Sequence, residues 1–490
     1  MSAVDHAGSP TAESRTAGRM AAACLFDEAA ARHPGKSGFA LIRFGRAALT
    51  ARVALTELAE RTLDVQYYIW GADATGRILA ERLIRAADRG VKVRVLLDDI
   101  NLSGRDDMVA CLDAHPNVEI RIFNPFRNRR VRALDFLTNP ERINHRMHNK
   151  IMVMDGAVAI VGGRNVGDHY FEVDPDSNFR DLDLAAVGPV VRETTAVFDR
   201  FWGGDWAVPI REITGRERSP ADLVQGLAVM RGKIAADHYP HPLERDTDAM
   251  VASLEAIRDD LVWAPGRVVW DDPSSIREKT GTGRMTEALY QRLDRLESEL
   301  LIESAYFVPR ERAVETLREL HEKGRRVRIL TNSLASNDVL AAHAGYSKHR
   351  AEVIGTGAEL YEFRPDPDDI RQRLVSAKSL AGLHTKAIVF DRRDVFIGSF
   401  NLDPRSGSIN TEAGLYVESE ELAEQVTAFL DAGTKPTNSY RVIRGEDGAL
   451  VWTTEDHDGH EVRYQKDPNS TWWQRWVVGA IRCLPVERQL

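Results

Sequence analysis

The stretch His384-Thr-Lys-Ala-Ile-Val-Phe-Asp391, followed six residues later by Gly398-Ser-Phe-Asn401, decides the fold of this 490-residue chain. The same pattern occurs earlier, as His148-Asn-Lys-Ile-Met-Val-Met-Asp155 followed by Gly162-Gly-Arg-Asn165. Both copies read His-x-Lys-x4-Asp, then six residues, then Gly-(Gly/Ser)-x-Asn. Because every fixed position is repeated in each half of the chain, we interpret the pattern as one active site built from two related halves.

A strand–helix–strand order precedes each copy of the pattern. The predicted elements are a strand at 63–70, a helix capped by Thr75 and closed by Gly90, a strand at 91–97, and then a strand at 299–307, a helix at 311–323 and a strand at 326–330. Links this short predict parallel pairing with right-handed crossovers. The sequence therefore predicts an α/β fold of two pseudo-repeated α/β/α domains, each with a mixed, largely parallel sheet flanked by helices, in one bilobal monomer.

Composition divides the chain into five predicted parts. They are an N-terminal tail with a short helix (1–35), a first α/β domain (36–214), a helical connector (215–267), a second α/β domain (268–435), and appended loops with a C-terminal amphipathic helix (436–490). The short helix is predicted at Met20–Arg32. A hairpin is predicted from Tyr440–Ile443 and Ala449–Thr453.

Charge and cysteine content restrict the class of protein. The chain has 65 basic and 74 acidic residues, a net charge of −9. Nucleic-acid binders are usually basic, so this balance disfavours such a partner, although an acidic protein can still carry a local basic groove. Three widely spaced cysteines suit a reduced compartment and form no C-x2-C zinc pair. With no apolar run of ~18 residues and no secretory signal layout, we expect a protein of the cytosol or the cytosolic membrane face.

Strand alternation groups the polar residues of the pattern. Side chains two apart share a face, so His148 and Lys150 project together while Ile151 and Val153 enter the core. The second copy repeats this arrangement with His384 and Lys386. Lysine repels a divalent ion and no carboxylate stands beside the histidines, so neither a metal nor another cofactor is expected. Lysine does suit the oxygens of a phosphate.

These residue types predict phosphoryl transfer. Lys150, Lys386, Asn165 and Asn401 can hold a phosphodiester and stabilise its transition state. One histidine would attack phosphorus, and the other would protonate the leaving alkoxide and later deprotonate the acceptor. The residues themselves leave open which histidine takes which role.

An attacking imidazole also needs a carboxylate on its other ring nitrogen to fix its tautomer. The candidates lie downstream in each half, at Asp181, with Asp183 competing, and at Glu412. We expect each carboxylate to serve the histidine of its own half, so that Glu412 orients His384. The alternative is that these carboxylates are surface charges at strand starts.

The doubled pattern resembles the phospholipase D superfamily, whose two His-x-Lys-x4-Asp motifs meet in one bilobal site. The stretches Asn144–Lys150, Val161–Asp168 and Ile397–Ser406 are similar to those of bacterial cardiolipin synthases of the C type. The resemblance covers nearly the whole chain from about residue 40. It implies transfer of a phosphatidyl group from one phospholipid to a hydroxyl of another, through a phosphohistidine.

The resemblance also implies a role for each motif residue. The implied roles are His148 as nucleophile, His384 as general acid and base, Lys150, Lys386, Asn165 and Asn401 as phosphate ligands, and Asp155 and Asp391 as supporting acids. One departure is Pro309-Arg310, where relatives often carry Pro-Gly after the strand. It affects a loop and none of the motif positions.

Two segments suggest a lipid substrate. Trp472–Leu484 places three tryptophans and several aliphatic residues at helical spacing, with arginines elsewhere, as in helices that lie at a membrane interface. Basic and aromatic residues also alternate at 121–137, which fits anionic headgroups or single-stranded nucleic acid. The alternatives are a helix packed on the second domain and a solvated basic loop.

We therefore expect phospholipid substrates, peripheral contact with the cytosolic membrane face and no nucleic acid. The leading hypothesis is cardiolipin synthesis from phosphatidylglycerol and a second phospholipid. Hydrolysis to phosphatidic acid uses the same chemistry with water as acceptor. A nucleic-acid phosphodiesterase and a non-catalytic scaffold are the remaining alternatives.

Overall fold

The computed structural model describes residues 23–237, 239, 247–274, 283–368, 379–456 and 458–483. Residues 23–31 are helical, which agrees with the predicted N-terminal helix. The predicted start of that helix at Met20, the tail before it and the predicted helical position Leu484 lie outside the described residues.

Two large sheets carry most of the strands. In chain order the strands of the first half are β1 (Ser37–Ile42), β2 (Thr62–Tyr67), β3 (Lys92–Asp98), β4 (Val118–Phe123), β5 (Lys150–Met154), β6 (Val158–Gly162), β7 (Ser177–Arg180), β8 (Asp183–Val187), β9 (Ala207–Pro209) and β10 (Val262–Ala264). Those of the second half are β11 (Gly266–Trp270), β12 (Glu299–Ser304), β13 (Arg326–Asn332), β14 (Glu359–Phe363), β15 (Leu380–Leu383), β16 (Lys386–Phe390), β17 (Asp394–Gly398), β18 (Ala413–Glu418), β19 (Ser439–Arg444), β20 (Leu450–Glu455) and β21 (Glu461–Tyr464).

The helices that follow residue 31 flank these sheets. They are α1 (Gly45–Leu58), α2 (Ala74–Asp88), α3 (Asp106–Asp113), α4 (Ala133–Thr138), α5 (Pro140–Asn144), α6 (Pro189–Trp202), α7 (Ile210–Thr214), α8 (Pro220–Ala236), α9 (Thr247–Asp259), α10 (Arg284–Leu293), α11 (Glu311–Glu322), α12 (Leu340–Gly355), α13 (Pro404–Ser408), α14 (Glu420–Gly433) and α15 (Trp472–Arg482). Among the described residues, no helix combines the length and the apolarity needed to cross a membrane.

The two sheets repeat one order of strands, which confirms the predicted pseudo-repeat. The first runs β10-β1-β8-β6-β5-β2-β3-β4-β9, and the second runs β11-β18-β17-β16-β12-β13-β14-β19-β20-β21. Each is mixed, as predicted, but the expectation of largely parallel pairing was wrong. Within the described residues of these two sheets, only β2-β3-β4 and β12-β13-β14 pair in parallel, because here neighbouring strands are joined through a helix that crosses over the sheet. Tight turns follow β5 and β16, and a tight turn forces antiparallel pairing.

The ends of several elements differ from the sequence expectations. The helix after β2 is capped by Asp73, whose carboxylate accepts the N–H of Gly76 at 3.0 Å, whereas Thr75 lies inside the first turn. The segment predicted as a helical connector also contains β10, which pairs with β1 at the edge of the first sheet. The predicted hairpin is present as β19 and β20.

The two sheets share an apolar core that holds the halves together. Ile151 and Val153 on β5 are buried in it, as are Ala387 and Val389 on β16. These are the residues that strand alternation assigned to the face opposite the histidines and lysines. The shared core therefore orients both motif strands from behind and presents their polar residues at the same junction.

Candidate active site

Strand pairing between the halves brings the two motif histidines to one place. The N–H of His384 donates to the carbonyl of Arg180 at 2.8 Å, where β15 runs parallel to β7. The N–H of His148 donates to the carbonyl of Thr411 at 2.9 Å. The residue that follows each of these carbonyls is a carboxylate, so each histidine lies beside the carboxylate of the other half.

The resulting hydrogen bonds between histidine and carboxylate are short and buried. Nδ1 of His148 lies 2.8 Å from one carboxylate oxygen of Glu412, and Nδ1 of His384 lies 2.6 Å from Asp181. The Ser399 hydroxyl also donates to Glu412. A carboxylate on Nδ1 holds the proton there and leaves Nε2 as the nitrogen that faces a substrate.

The expected pairing within each half was therefore wrong. Glu412 orients His148, and Asp181 orients His384. The reason is that the residue before each carboxylate pairs across the junction: Arg180 ends β7, which runs parallel to β15, and Thr411 pairs beside Met147. The competing candidate Asp183 is not at a histidine, because its carboxylate accepts the guanidinium of Arg52 at 2.9 Å.

Both motif lysines are buried at this junction. Each ammonium donates to the carbonyl of the histidine two residues earlier, Lys150 to His148 and Lys386 to His384. Burial lowers the pKa of Lys386 to about 8, against the opposing pull of Asp181. Burial also lowers the pKa of Lys150 well below its ordinary value, with Glu412 opposing that shift. Two desolvated ammonium groups make a strong site for an anion.

The same environment keeps the imidazoles neutral. Burial and then the charges of Lys150 and Lys386 lower the pKa of His148 well below its usual value, and His384 shifts in the same direction for the same reasons. Burial raises the pKa of Glu412 to about 7. A neutral imidazole has a free lone pair on Nε2, which is the form that attacks phosphorus.

The two asparagines lie at the same junction but differ in their contacts. Asn165 accepts the N–H of Ile69 at 3.2 Å and donates to the hydroxyl of Tyr170 at 2.9 Å. The buried side-chain oxygen of Asn401 has no donor within the described part of the chain. The Asn401 amide is therefore less committed to the protein than that of Asn165.

The structure does not bring Asp155 and Asp391 to the site. Each ends the motif strand that the histidine begins, about 20 Å away along an extended chain. Asp155 accepts the backbone N–H groups of residues 60–62, and Asp391 accepts those of residues 297–299. Both residues also have a positive φ, 53° and 54°, in the turn that reverses the chain. Their contacts are those of turn and strand caps.

Aromatic residues around the imidazoles were missed in the sequence. Tyr68 meets His148 edge-on with ring centroids 4.7 Å apart, and Tyr170 meets His384 edge-on at 5.0 Å. Phe179 also lies 5.3 Å from the His384 ring. The available signal was position, since Tyr68 directly follows β2, the antiparallel neighbour of the motif strand. Tyr170 and Phe179 gave no such signal, because neither stands at a fixed distance along the chain from a motif histidine.

An arginine that was also missed links the two halves beside the site. The guanidinium of Arg405 donates to the side-chain oxygen of Asn144 at 2.7 Å and to its carbonyl at 2.6 Å. Its charge contributes to the low pKa of His148. The signal for it was its place just after Asn401, within the second motif.

Comparison with known proteins agrees with this geometry. The family described as "Cardiolipin synthase, PLD-like domain" matches residues 54–202 and 289–432, one match in each half. Cardiolipin synthase C of Escherichia coli (strain K12) is 38% identical over 475 residues, which span 96% of this chain and 99% of that protein. An uncharacterized protein of Helicobacter pylori is 30% identical over 95% of this chain and 92% of its own length.

One solved structure shares the fold along nearly the whole chain. The crystal structure of phosphatidylserine synthase from Haemophilus influenzae Rd KW20 matches with a TM-score of 0.61 and 14% identity, covering 95% of this chain and 100% of that one. At that identity the match supports the two-domain architecture alone. Together with the family match in both halves and the full-length relatives, these findings show that the chain belongs to the phospholipase D-like cardiolipin synthase family.

Proposed function

We propose that the protein transfers a phosphatidyl group between phospholipids and so makes cardiolipin from phosphatidylglycerol and a second phospholipid. The observation that carries this proposal is the crossed arrangement of His148–Glu412 and His384–Asp181 around two buried lysines. It supplies a nucleophile, a proton carrier and an anion site at one point. Full-length similarity to a cardiolipin synthase supports the lipid substrate.

In the first step Nε2 of His148 attacks phosphorus, the P–N bond forms and the P–O bond to the leaving alcohol breaks. His384 donates its Nε2 proton to that oxygen. The lysine charges lower the pKa of free His384, and an anionic phosphodiester bound between the lysines opposes that effect. Binding of substrate therefore favours the protonated His384 that acid catalysis needs.

In the second step the acceptor hydroxyl gives its proton to His384 and its oxygen attacks phosphorus. The P–N bond breaks, which frees His148 and leaves His384 protonated for the next cycle. Asp181 keeps the proton on Nδ1 of His384 throughout, so that only Nε2 gives and takes a proton. The lysines and the Asn401 amide would bind the phosphoryl oxygens.

The test is an analysis of lipid products. Purified full-length protein is incubated with phosphatidylglycerol, with and without phosphatidylethanolamine. We expect cardiolipin, with glycerol or ethanolamine released according to the donor. Phosphatidic acid as the sole lipid product would contradict transfer and indicate hydrolysis.

We further propose that the protein works as a peripheral protein on the cytoplasmic face of the cell membrane. In α15 the side chains of Trp472, Trp473 and Trp476 are 70%, 54% and 59% exposed, while Val478 is buried against the second half. The helix is thus packed through one face and offers its tryptophans to the outside. Exposed tryptophans beside arginines favour a lipid interface.

A second exposed apolar segment lies in the first half, shortly before His148. Its exposed members are Val131, Leu134, Phe136 and Leu137. The basic residues of this region are partly committed to the fold, since Arg129 and Arg132 both pair with the buried Asp99. The apolar side chains, rather than these two arginines, are available for membrane contact.

Replacing Trp472, Trp473 and Trp476 with serine tests the interface. We expect binding to anionic vesicles to fall at least about tenfold, since burial of an aromatic side chain is worth about that much or more. The control replaces Val224 and Val229, exposed apolar residues of α8, with serine. Undiminished vesicle binding by the tryptophan variant would contradict the proposed contact.

A further inference from the structure

A cavity of about 320 Å³ lies in the second half between α10 and α11, against β12 and β16. Its walls are mostly apolar and include Leu289, Leu300, Ile302, Phe307, Leu317 and Phe400. Pockets of this size and lining are typical of small-molecule sites. None of the chemistry described above uses this cavity.

The cavity adjoins the catalytic junction. Phe400 and Leu402 line it, and they flank Asn401 in the chain. Asp403 also lines it, and its carboxylate is near enough to act on the charge of Lys386. A molecule in the cavity therefore lies next to the groups that would bind the phosphate.

At the equivalent place behind the motif of the first half lies a buried polar network. Arg52 donates to the Tyr67 hydroxyl and to Asp183, both at 2.9 Å. Arg164 is fully buried and also pairs with Asp183 at 3.4 Å. These four side chains pack the region between α1 and the sheet.

The equivalent positions of the second half are small or apolar. Tyr67 pairs with the motif lysine in register, and its counterpart opposite Lys386 is Ser304. Arg164 corresponds to Phe400 in the motif. Asp183, the register partner of Gly162, corresponds to Gly414, the partner of Gly398.

The helix that covers the motif, α2 in the first half and α11 in the second, also carries a smaller side chain in the second half. Six residues after the N-cap of α2 stands the buried Leu79, and six after the N-cap of α11 stands Thr316, which lines the cavity. Across the first half α1 and α2 are also joined by the buried pair Glu57–Arg82 at 2.6 Å. The two halves therefore differ behind their motifs, where the first carries buried polar pairs and the second carries the cavity.

We propose that this cavity holds an acyl chain of the phospholipid whose phosphate lies at Asn401 and Lys386. The inference rests on the proposed function, which supplies a lipid at that site. An apolar cavity beside an anion site matches a molecule with an anionic phosphate and a hydrocarbon tail. Each methylene moved from water into the cavity is worth about fourfold in affinity, so the cavity confers selectivity for chain length.

The first test maps the acyl chain directly. Full-length protein is mixed with phosphatidylglycerol that carries a diazirine on one acyl chain, irradiated and digested for peptide mass spectrometry. We expect labels on peptides from α10 and α11, and loss of those labels when unlabelled phosphatidylglycerol is added. Labels confined to other regions, such as α15, would overturn the proposal. Labelling needs no turnover, so this outcome is independent of whether transfer occurs.

The second test fills the cavity. In Thr316→Phe we expect kcat/KM for dioleoyl phosphatidylglycerol to fall at least about tenfold, the value of roughly two buried methylenes. The value for dihexanoyl phosphatidylglycerol in the same micelles should change less than about twofold. Glu315→Phe places the same ring on the exposed face of α11 and serves as control. Equal losses for both lipids, or no loss for either, would overturn the proposal.

Discussion

The two halves of the molecule present the same chemistry but pack it differently. Each places a histidine and a lysine on a strand supported by the shared apolar core, and each lends a carboxylate to the other half. Behind the motif, the first half is closed by the network of Arg52 and Asp183, whereas the second encloses an apolar cavity. The difference indicates that duplication fixed the reacting groups, while the space behind them was free to diverge.

Replacing either histidine with alanine should have the largest effect on activity. It tests whether the two motif histidines have different roles. We expect His148→Ala and His384→Ala each to abolish turnover of phosphatidylglycerol, because one lacks the nucleophile and the other the proton carrier. With a phosphatidyl ester of p-nitrophenol, whose leaving group needs no proton, His384→Ala should still release a burst of nitrophenol. His148→Ala should not.

The burst experiment also separates loss of chemistry from loss of folding. Circular dichroism and the midpoint of urea unfolding should be the same in both variants as in the unchanged protein. A burst from His148→Ala and none from His384→Ala would reverse the roles. Substantial turnover by either variant with the natural lipid would refute the mechanism of two histidines.

The crossed carboxylates give the next largest effect. Glu412→Gln removes the charge that fixes His148, and Asp181→Asn does so for His384, so we expect each to lower kcat by roughly 10²–10⁴-fold. The crossing predicts that Glu412→Gln loses the nitrophenol burst and that Asp181→Asn keeps it. The opposite result would support carboxylates that act within their own half. Asp183→Asn, which changes a carboxylate away from the histidines, should affect stability rather than the burst.

The strands and their faces could be predicted because the signals are local. Alternation along β5 placed Ile151 and Val153 in the core and Lys150 at the site, and the structure agrees. The partner of each histidine could not be predicted, because it depends on how two distant segments meet. Thr411 pairs beside Met147, and nothing in the spacing of either segment encodes that pairing.

The direction of strand pairing and the cavity were also not predicted from the sequence, and each has a physical reason. The sheets were expected to be largely parallel because the helix-linked strands were the ones recognised in the sequence. The turns at Asp155 and Asp391, which make the neighbouring pairs antiparallel, lie inside the motif and were assigned to chemistry. The cavity was not predictable either, since its walls come from separate elements that meet only after folding, such as Thr316 of α11 and Phe400 after β17.

The pH dependence of activity tests the role of the lysine charge in binding phosphate. Because burial lowers the pKa of Lys386 to about 8, this ammonium loses its proton above that pH and with it the attraction for phosphate. We expect kcat/KM for a short-chain phosphatidylglycerol to decline by about tenfold per pH unit above pH 8, as it follows the free enzyme. In Lys386→Arg the decline that begins near pH 8 should disappear, because arginine stays charged, and any remaining pH dependence belongs to Lys150, whose pKa burial also lowers. A flat profile to pH 10 in the unchanged protein would contradict this assignment.

The two motif aspartates should give the smallest effect, and one that does not reach the chemistry. Asn tolerates positive φ, so Asp155→Asn and Asp391→Asn keep the turn but remove the charge and one acceptor oxygen from its bonds to backbone N–H groups. We expect each to lower the free energy of unfolding at pH 7 by about 1–2 kcal/mol and to leave kcat within about twofold. A large loss of kcat in a stably folded variant would restore the supporting-acid role.

For Asp391 the effect should also depend on pH. Burial would raise its pKa, but the backbone N–H groups of Ser298 and Glu297 outweigh burial and hold the pKa below its usual value. A depressed pKa adds stability that is complete above the unfolded value of about 3.9 and is lost as the pH falls through the folded value. Urea unfolding should therefore show the gap between Asp391→Asn and the unchanged protein narrowing below about pH 4. A gap that stays constant from pH 7 to pH 3 would mean that the carboxylate charge is not what stabilises this turn.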